Sequence, residues 1–229
     1  MSKNSQLTYK LTLNERLKPV TFHGREIFPL YLRVTYNRVP TFFKSYYFDL
    51  LKPSKHNFSK PPLNEVMEAE KKVIEFVVAK IGSDPNLSLE LFKKQYDYFS
   101  RDLVSVMEKD FKSYLVTFFQ DEGYPVFAST IKFPDNILKC DDLLYDLKSV
   151  LKPSLFAKLL ENAVEYAPPY IPIAAFARKL KDNLLGILPV FLWNNEDTKK
   201  SFRNTLTKEF PAYSYLKIFD YIEQIESQD

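Results

Sequence analysis

Glycine, cysteine and histidine are all scarce in this chain of 229 residues, and each shortage excludes a class of functional site. Four glycines are far fewer than the roughly 7% of ordinary proteins, which argues against a phosphate-binding loop, a dinucleotide-binding turn or a nucleophile elbow. The single cysteine, Cys140, excludes an internal disulfide and a cysteine-based metal site. His23 and His56 are too few for a histidine cluster. The sequence therefore predicts no metal site and no cofactor.

Long apolar runs are absent as well. The most apolar stretch, residues 184–193, has ten residues and is interrupted by Pro189, whereas a membrane-spanning helix needs about 20. We interpret this stretch as a buried core segment. The N-terminus has no apolar region of the kind that a secretory signal contains. Together with the lone cysteine, these features predict a cytoplasmic protein with no membrane partner.

Charge is distributed unevenly along the chain. The net charge is only +3, yet residues 1–60 contain eleven basic and three acidic residues, a balance of +8. Residues 61–229 carry a balance of −5. A segment this basic favours an anionic partner, most often nucleic acid, with a solvated basic surface as the alternative.

Apolar and polar residues alternate in three segments of the first fifty residues, as is typical of half-buried strands. The segments are Thr8–Leu13, residues 27–35 and residues 41–48. A turn is predicted at Asn37, between the second and third segments. Short connections favour an antiparallel sheet with one apolar and one polar face.

After residue 60 the spacing of apolar residues becomes helical. One stripe runs from Val66 to Ile81 and ends at Gly82; a longer one runs from Phe92 to Phe118, as one helix or as two broken near Asp110. Further helices are predicted over residues 135–151, 154–166, 173–186, 197–208 and 213–226. The predicted fold is α+β: a small N-terminal three-stranded antiparallel sheet (residues 1–60) followed by a larger all-α domain (residues 61–229).

The strand sequences resemble those of a known family. Residues 27–35 read IFPLYLRVT, and after a short turn residues 41–45 read TFFKS. This run resembles the N-terminal arm DNA-binding domain of tyrosine recombinases (integrases) from phages and conjugative transposons. Within residues 63–135, the stretch 110–129 is similar to the helix and turn of the family's helical core-binding (SAM-like) domain. Residues 136–229 would be a helical extension of unknown role.

The resemblance implies a three-stranded sheet in the major groove of double-stranded DNA, with polar side chains reaching the bases. Four positions on the second and third strands match the family's motif. Alternation adds two positions on the first strand, and an arginine in the turn suits a phosphate contact. The predicted DNA-binding residues are Lys10, Thr12, Tyr31, Arg33, Thr35, Arg38 and Lys44.

The catalytic part of a tyrosine recombinase has no counterpart here. Its chemistry needs clustered arginines, a lysine, a histidine and a tyrosine nucleophile. Residues 61–229 contain three arginines and no histidine, and the family's His-x-x-Arg motif is missing. The tyrosines near the end of the chain therefore lack the arginine cluster and the histidine that a nucleophilic tyrosine would need. These late tyrosines are Tyr213, Tyr215 and Tyr221. The sequence predicts that the chain is not an enzyme.

Other groups of chemical interest are interpreted as structural. Cys140 is expected to be an inert core residue and Trp193 a core or interface anchor. Asp141 and Asp142 suit the first turn of a helix, where a negative charge complements the helix dipole. Residues 194–197 are interpreted as a loop with an N-cap.

The preferred interpretation is a non-catalytic DNA-binding protein that resembles a tyrosine recombinase without its catalytic domain, acting in DNA recombination or in the regulation of a mobile element. The alternative is a helical protein–protein interaction or scaffold protein with a small β cap, which would bind a protein partner through a helix face around residues 173–193. An enzyme of another class is a third alternative, because carboxylates and tyrosines are plentiful.

Overall fold

The computed structural model describes residues 7–51, 62–132, 139–180 and 185–227. The chain forms two compact units, one made of residues 1–101 with 189–191 and the other of residues 102–188 with 192–229. An antiparallel sheet near the N-terminus is followed by a larger helical part, which confirms the predicted α+β class.

The first unit contains all the strands that the structure describes. Strands β1, β4 and β5 form a three-stranded antiparallel sheet with β4 in the centre, and β2 pairs with β3 in a separate hairpin. The bounds are β1 (Thr8–Leu13), β2 (Val20–Phe22), β3 (Arg25–Ile27), β4 (Leu30–Tyr36), β5 (Val39–Lys44), α1 (Tyr46–Leu51), α2 (Leu63–Ile81) and α3 (Leu89–Ser100).

Alternation fixes the central strand. Leu30, Leu32 and Val34 are at most 1% exposed, whereas Arg33 between them is exposed. A slip of one residue would turn all three apolar side chains outward, so burial of one face sets the register of β4. On the same buried face, the ring of Phe43 in β5 stacks on the ring of Phe92 in α3.

The predicted third strand, residues 41–48, is wrong at both ends. Strand β5 begins at Val39 and ends at Lys44, and the next residues form α1. Ser45 causes the change, because its Oγ accepts a hydrogen bond from the backbone N–H of Phe48 at 3.2 Å and so caps the helix.

The hairpin of β2 and β3 was not predicted, since each strand has only three residues and shows no clear period. His23 and Gly24 connect the strands with φ angles of 50° and 81°, as a tight hairpin turn requires. Phe22 stacks on Phe48 of α1 with ring centroids 4.9 Å apart. The predicted second strand, 27–35, accordingly starts later, at Leu30.

The apolar stripe from Phe92 to Phe118 is two helices, and the break lies at Arg101 and Asp102 instead of Asp110. The buried Asp102 carboxylate accepts the backbone N–H groups of Val104 and Ser105 at 3.2 and 3.0 Å. It is therefore the N-cap of the second helix.

The helices after residue 101 pack around aromatic side chains. Phe111 stacks on Tyr170 at 4.8 Å, and Trp193 contacts Phe202 edge-on at 5.3 Å. Their bounds are α4 (Leu103–Asp121), α5 (Pro125–Lys132), α6 (Cys140–Val150), α7 (Pro153–Tyr166), α8 (Tyr170–Lys179), α9 (Val190–Trp193), α10 (Glu196–Glu209) and α11 (Tyr215–Ser227).

Several local predictions for this part are confirmed. Cys140 and Trp193 are buried. Asp141 and Asp142 lie in the first turn of α6. Asn195 caps α10 by accepting the N–H of Asp197 at 2.8 Å.

Some predicted bounds lie outside the described residues. The domain boundary near residue 60 falls within 52–61, and the predicted helices over 135–151 and 173–186 include residues 135–138 and 181–184, which are not described. Within the described residues, these two predicted helices correspond to α6 and α8. Helix α5 was not predicted: α4 does end before Gly123, whose φ is +79°, but Pro125 opens another helix.

Candidate nucleic-acid interface

One face of the three-stranded sheet is exposed, and we call it the outer sheet face. Strand register places its residues in three cross-strand rows. Directly opposed residues have Cβ atoms about 4.5–5.5 Å apart, so the rows form a compact patch. From one end, the rows are Thr8, Thr35 and Pro40; Lys10, Arg33 and Phe42; and Thr12, Tyr31 and Lys44.

Six of the seven predicted DNA-binding residues lie on the outer sheet face. Lys10, Arg33 and Lys44 are exposed, and the threonines and tyrosine among the six are half-buried. The seventh residue, Arg38, is in the turn that joins β4 to β5. The structure thus brings the predicted residues together, while their contact with DNA stays a prediction.

The outer sheet face is electropositive. Strands β1, β4 and β5 contain no aspartate or glutamate. Within the described residues, none of the four cations on this face and its turn lies within 4 Å of a carboxylate oxygen. Their charges are therefore not neutralised locally, and they are placed to attract an anion.

The β4–β5 turn holds an arginine in an unfavourable backbone conformation. Asn37 and Arg38 have φ angles of 49° and 67°, as a two-residue hairpin turn requires. Asparagine tolerates this region, but the second position favours glycine, and a residue with a Cβ costs roughly 1–2 kcal/mol there. An exposed cation kept at this position is the kind of outlier that points to function.

We expect Arg38→Gly to raise the free energy of unfolding by about 0.5–1 kcal/mol, because glycine relieves the left-handed strain. If Arg38 contacts a phosphate, the same variant should bind duplex DNA roughly threefold more weakly and with a smaller salt dependence. Thermal denaturation and fluorescence anisotropy measure the two effects. Asn37→Gly is the matched control, since it changes the same turn without removing charge and should leave DNA affinity unchanged. Equal affinity of Arg38→Gly and the unmodified protein would remove Arg38 from the interface.

Thr8, Pro40 and Phe42 belong to the outer sheet face but were not among the predicted DNA-binding residues, and Phe42 is the largest of the three. Its side chain is 56% exposed, and the guanidinium carbon of Arg33 lies 5.9 Å from its ring centroid. The position of Phe42 could have been predicted from the sequence, because residues two apart in a strand lie on the same face and Phe42 precedes Lys44 by two residues.

Side chains packed behind the sheet support the outer sheet face. Phe43 of β5 stacks on Phe92 of α3 with centroids 6.1 Å apart, and α3 also packs against β4. The hydroxyl of Tyr9 donates to Glu75 of α2 at 2.9 Å and anchors β1. An interface on a supported sheet needs little reorganisation on binding.

A buried carboxylate locks the end of β5, directly after Lys44. Glu70 of α2 is fully buried and accepts hydrogen bonds from Ser45 Oγ at 2.6 Å and from the backbone N–H of Tyr47 at 3.2 Å. The hydroxyl of Tyr96 on α3 also donates to it. Burial raises the pKa of Glu70, although the hydrogen bonds act in the opposite direction. We interpret this cluster as structural, because its groups are used in joining the sheet, α1, α2 and α3.

A cavity of about 530 Å³ lies beside β5 and α3. Its charged lining is balanced between two lysines and two acidic residues, so it offers an anion little net attraction. The lining residues are Thr41, Phe43, Leu89, Glu90, Lys93, Lys94 and Asp97.

Two of the late tyrosines, Tyr213 and Tyr221, lie in environments that disfavour ionisation. Burial raises the pKa of Tyr213 to about 12, and burial with the nearby Asp110 raises that of Tyr221 to about 12. The guanidinium carbon of Arg203 lies 3.9 Å from the ring centroid of Tyr215. Arg178 pairs with Asp141. Burial also raises the pKa of the Cys140 thiol.

Two further kinds of site are absent from the described ranges. No group of three or more histidine, cysteine, aspartate or glutamate residues there is arranged to hold a metal ion. Nor does this part of the chain contain a helix with the length and apolar character needed to cross a bilayer.

Comparison of the chain with models of protein families, with curated proteins and with solved structures gave no match. The resemblance to tyrosine recombinases therefore stays a prediction from the sequence.

Proposed function

We propose that the protein binds double-stranded DNA through the outer sheet face and the adjoining β4–β5 turn, as a non-catalytic protein of DNA recombination or mobile-element regulation. The recombination context comes from the resemblance of the strand sequences. The observation that carries the DNA-binding proposal is a group of four cations that are not neutralised locally, three on one face of a sheet whose strands contain no acidic residue and the fourth, Arg38, in the adjoining turn.

The dimensions of the sheet suit the major groove. Neighbouring strands are about 4.8 Å apart, so three strands span roughly 10 Å between the outer two. The major groove of B-DNA is about 12 Å wide and admits a β-ribbon. The exposed side chains of β4 would face the floor of the groove, and those of β1 and β5 its walls.

The positions of the cations match this orientation. Arg33 is central, with a direct partner on each side, whereas Lys10 and Lys44 lie on the two edge strands. A central arginine can make a bidentate contact with guanine O6 and N7, and edge lysines can contact the flanking phosphates. Arg38 extends the positive charge beyond the end of β4.

Fluorescence anisotropy with mixed-sequence duplex DNA tests the proposal. Three phosphate contacts, from Lys10, Lys44 and Arg38, predict a slope of log affinity against log salt of about −2.7, hence a loss on the order of 40-fold between about 50 mM and 200 mM salt. Absence of binding at the lower salt concentration, or an affinity independent of salt, would contradict DNA binding by this face.

The alternative of a protein partner docking on the helix face around residues 173–193 gains no support. In the described part of this segment, Ile173, Phe176, Leu188 and Trp193 are at most 2% exposed, so these apolar side chains are used in the core.

A further inference from the structure

The outer sheet face combines one strongly apolar side chain with a cation at its centre. Phe42 leaves 56% of its side chain exposed, although the other members of the face are polar or small. It is the direct cross-strand partner of Arg33, and the guanidinium carbon lies 5.9 Å from the ring centroid. The two side chains thus form one unit with a hydrogen-bonding part and an apolar part.

These two parts correspond to two features of the major groove. An arginine fork matches guanine O6 and N7, and an apolar side chain such as phenylalanine can contact the C5-methyl group of thymine. Successive base pairs are about 3.4 Å apart, so groups separated by roughly 6 Å can reach neighbouring base pairs but not distant ones. A guanine and a thymine in adjacent base pairs would satisfy both side chains together.

We propose that Phe42 is a specificity-determining residue, which reads the thymine methyl group beside a guanine contacted by Arg33. This inference rests on the proposed binding of duplex DNA by the outer sheet face. It adds the DNA sequence feature that is recognised, a TG-type step, and the chemical group that Phe42 contacts, the thymine methyl.

Removal of the methyl group alone tests the inference. The probe is the alternating duplex d(TG)·d(CA), compared with the same duplex carrying deoxyuridine in place of every thymine. The unmodified protein should bind the thymine duplex about fourfold more tightly, the value expected for one buried methyl-sized group. Phe42→Ala should bind both duplexes equally, whereas Phe42→Leu should retain a preference for thymine.

The matched control is Tyr166→Ala, which removes an aromatic side chain that is 76% exposed on the other unit. It should keep the full preference for thymine. A second arm replaces guanine by 7-deazaguanine, which lacks N7; this should weaken binding by the unmodified protein and not by Arg33→Ala.

The outcomes separate the inference from the proposed function. Salt-dependent binding with equal affinity for the thymine and uracil duplexes would overturn the inference and leave duplex binding in place. A thymine preference that persists in Phe42→Ala would assign the methyl contact to another residue and overturn it as well. Failure to bind either duplex would remove the proposed function itself. Tighter binding to the single strand than to the duplex would indicate base stacking on Phe42 and overturn groove recognition.

Discussion

The double variant Arg33→Glu/Lys44→Glu is expected to lose at least about 100-fold in affinity for mixed-sequence duplex DNA, because two charge-assisted contacts at roughly 1.5–3 kcal/mol each are removed. The two new carboxylates would also repel the phosphates. Both side chains are exposed on the outer sheet face, so the substitutions should not disturb the core. Fluorescence anisotropy at low salt measures the loss, and far-UV circular dichroism checks that the fold is intact.

The control must change net charge equally at another place. Lys109→Glu/Lys200→Glu serves, because both lysines are exposed and lie on α4 and α10 of the other unit. This control should change affinity by less than about threefold, since neither lysine belongs to the outer sheet face and exposed charges are screened by salt. The neutral variant Arg33→Gln/Lys44→Gln should reduce the salt slope by about 1, because Lys44 is the phosphate contact that is lost. Equal affinities of the two charge-reversal variants would show that binding depends only on total charge. That result would exclude the outer sheet face as the interface.

The sequence predicted the parts of the sheet in which one face is buried. Strand β1 has the predicted bounds, Thr8–Leu13, because its alternation is regular. The same regularity in β4 places Tyr31, Arg33 and Thr35 on one face, as expected. The alternation of apolar and polar residues and the turn at Asn37 were thus enough to predict which side chains share the outer sheet face. No knowledge of tertiary contacts was needed.

The parts that could not be predicted depend on residues distant in the sequence. Aromatic residues after Lys44 have high strand propensity, yet Ser45 ends the strand there, and its hydroxyl donates a hydrogen bond to Glu70 of α2. Local patterning contains no sign of that contact, which is a case of tertiary context overriding propensity. The break between α3 and α4 at Asp102 is similar, because the carboxylate also accepts the N–H of Leu188 at 2.8 Å.

Glu70→Ala is expected to lower the free energy of unfolding of the first unit by about 3–5 kcal/mol, because several buried donors lose their acceptor and a cavity remains. The donors are the hydroxyls of Ser45 and Tyr96 and the backbone N–H of Tyr47. Hydrogen exchange of the amides of β4 and α2 is the direct measurement. The only tryptophan of the sequence, Trp193, belongs to the other unit and would report on that unit instead.

The same helix offers a matched control for this substitution. Glu75 also accepts a hydrogen bond from a tyrosine hydroxyl, that of Tyr9, but the Glu75 side chain is 53% exposed. Glu75→Ala should therefore cost less than about 1 kcal/mol, since water replaces the lost acceptor. Similar losses for the two variants would mean that Glu70 is no more important to the first unit than a surface carboxylate.

The pH dependence of the Glu70 contribution follows from the raised pKa. Burial outweighs the hydrogen bonds and raises the pKa of Glu70 above its ordinary value of 4.5, so the folded protein binds this proton more tightly than the unfolded chain does. The stabilisation linked to this proton is complete below the unfolded-state pKa and is lost as the pH rises through the folded-state pKa. The stability difference between the unmodified protein and Glu70→Gln, which cannot titrate, should therefore decrease from about pH 4 to about pH 7. An increase over the same range would mean that the hydrogen bonds from Ser45, Tyr47 and Tyr96 outweigh the cost of burying the charge, so that the ionised carboxylate is the form that holds the end of β5.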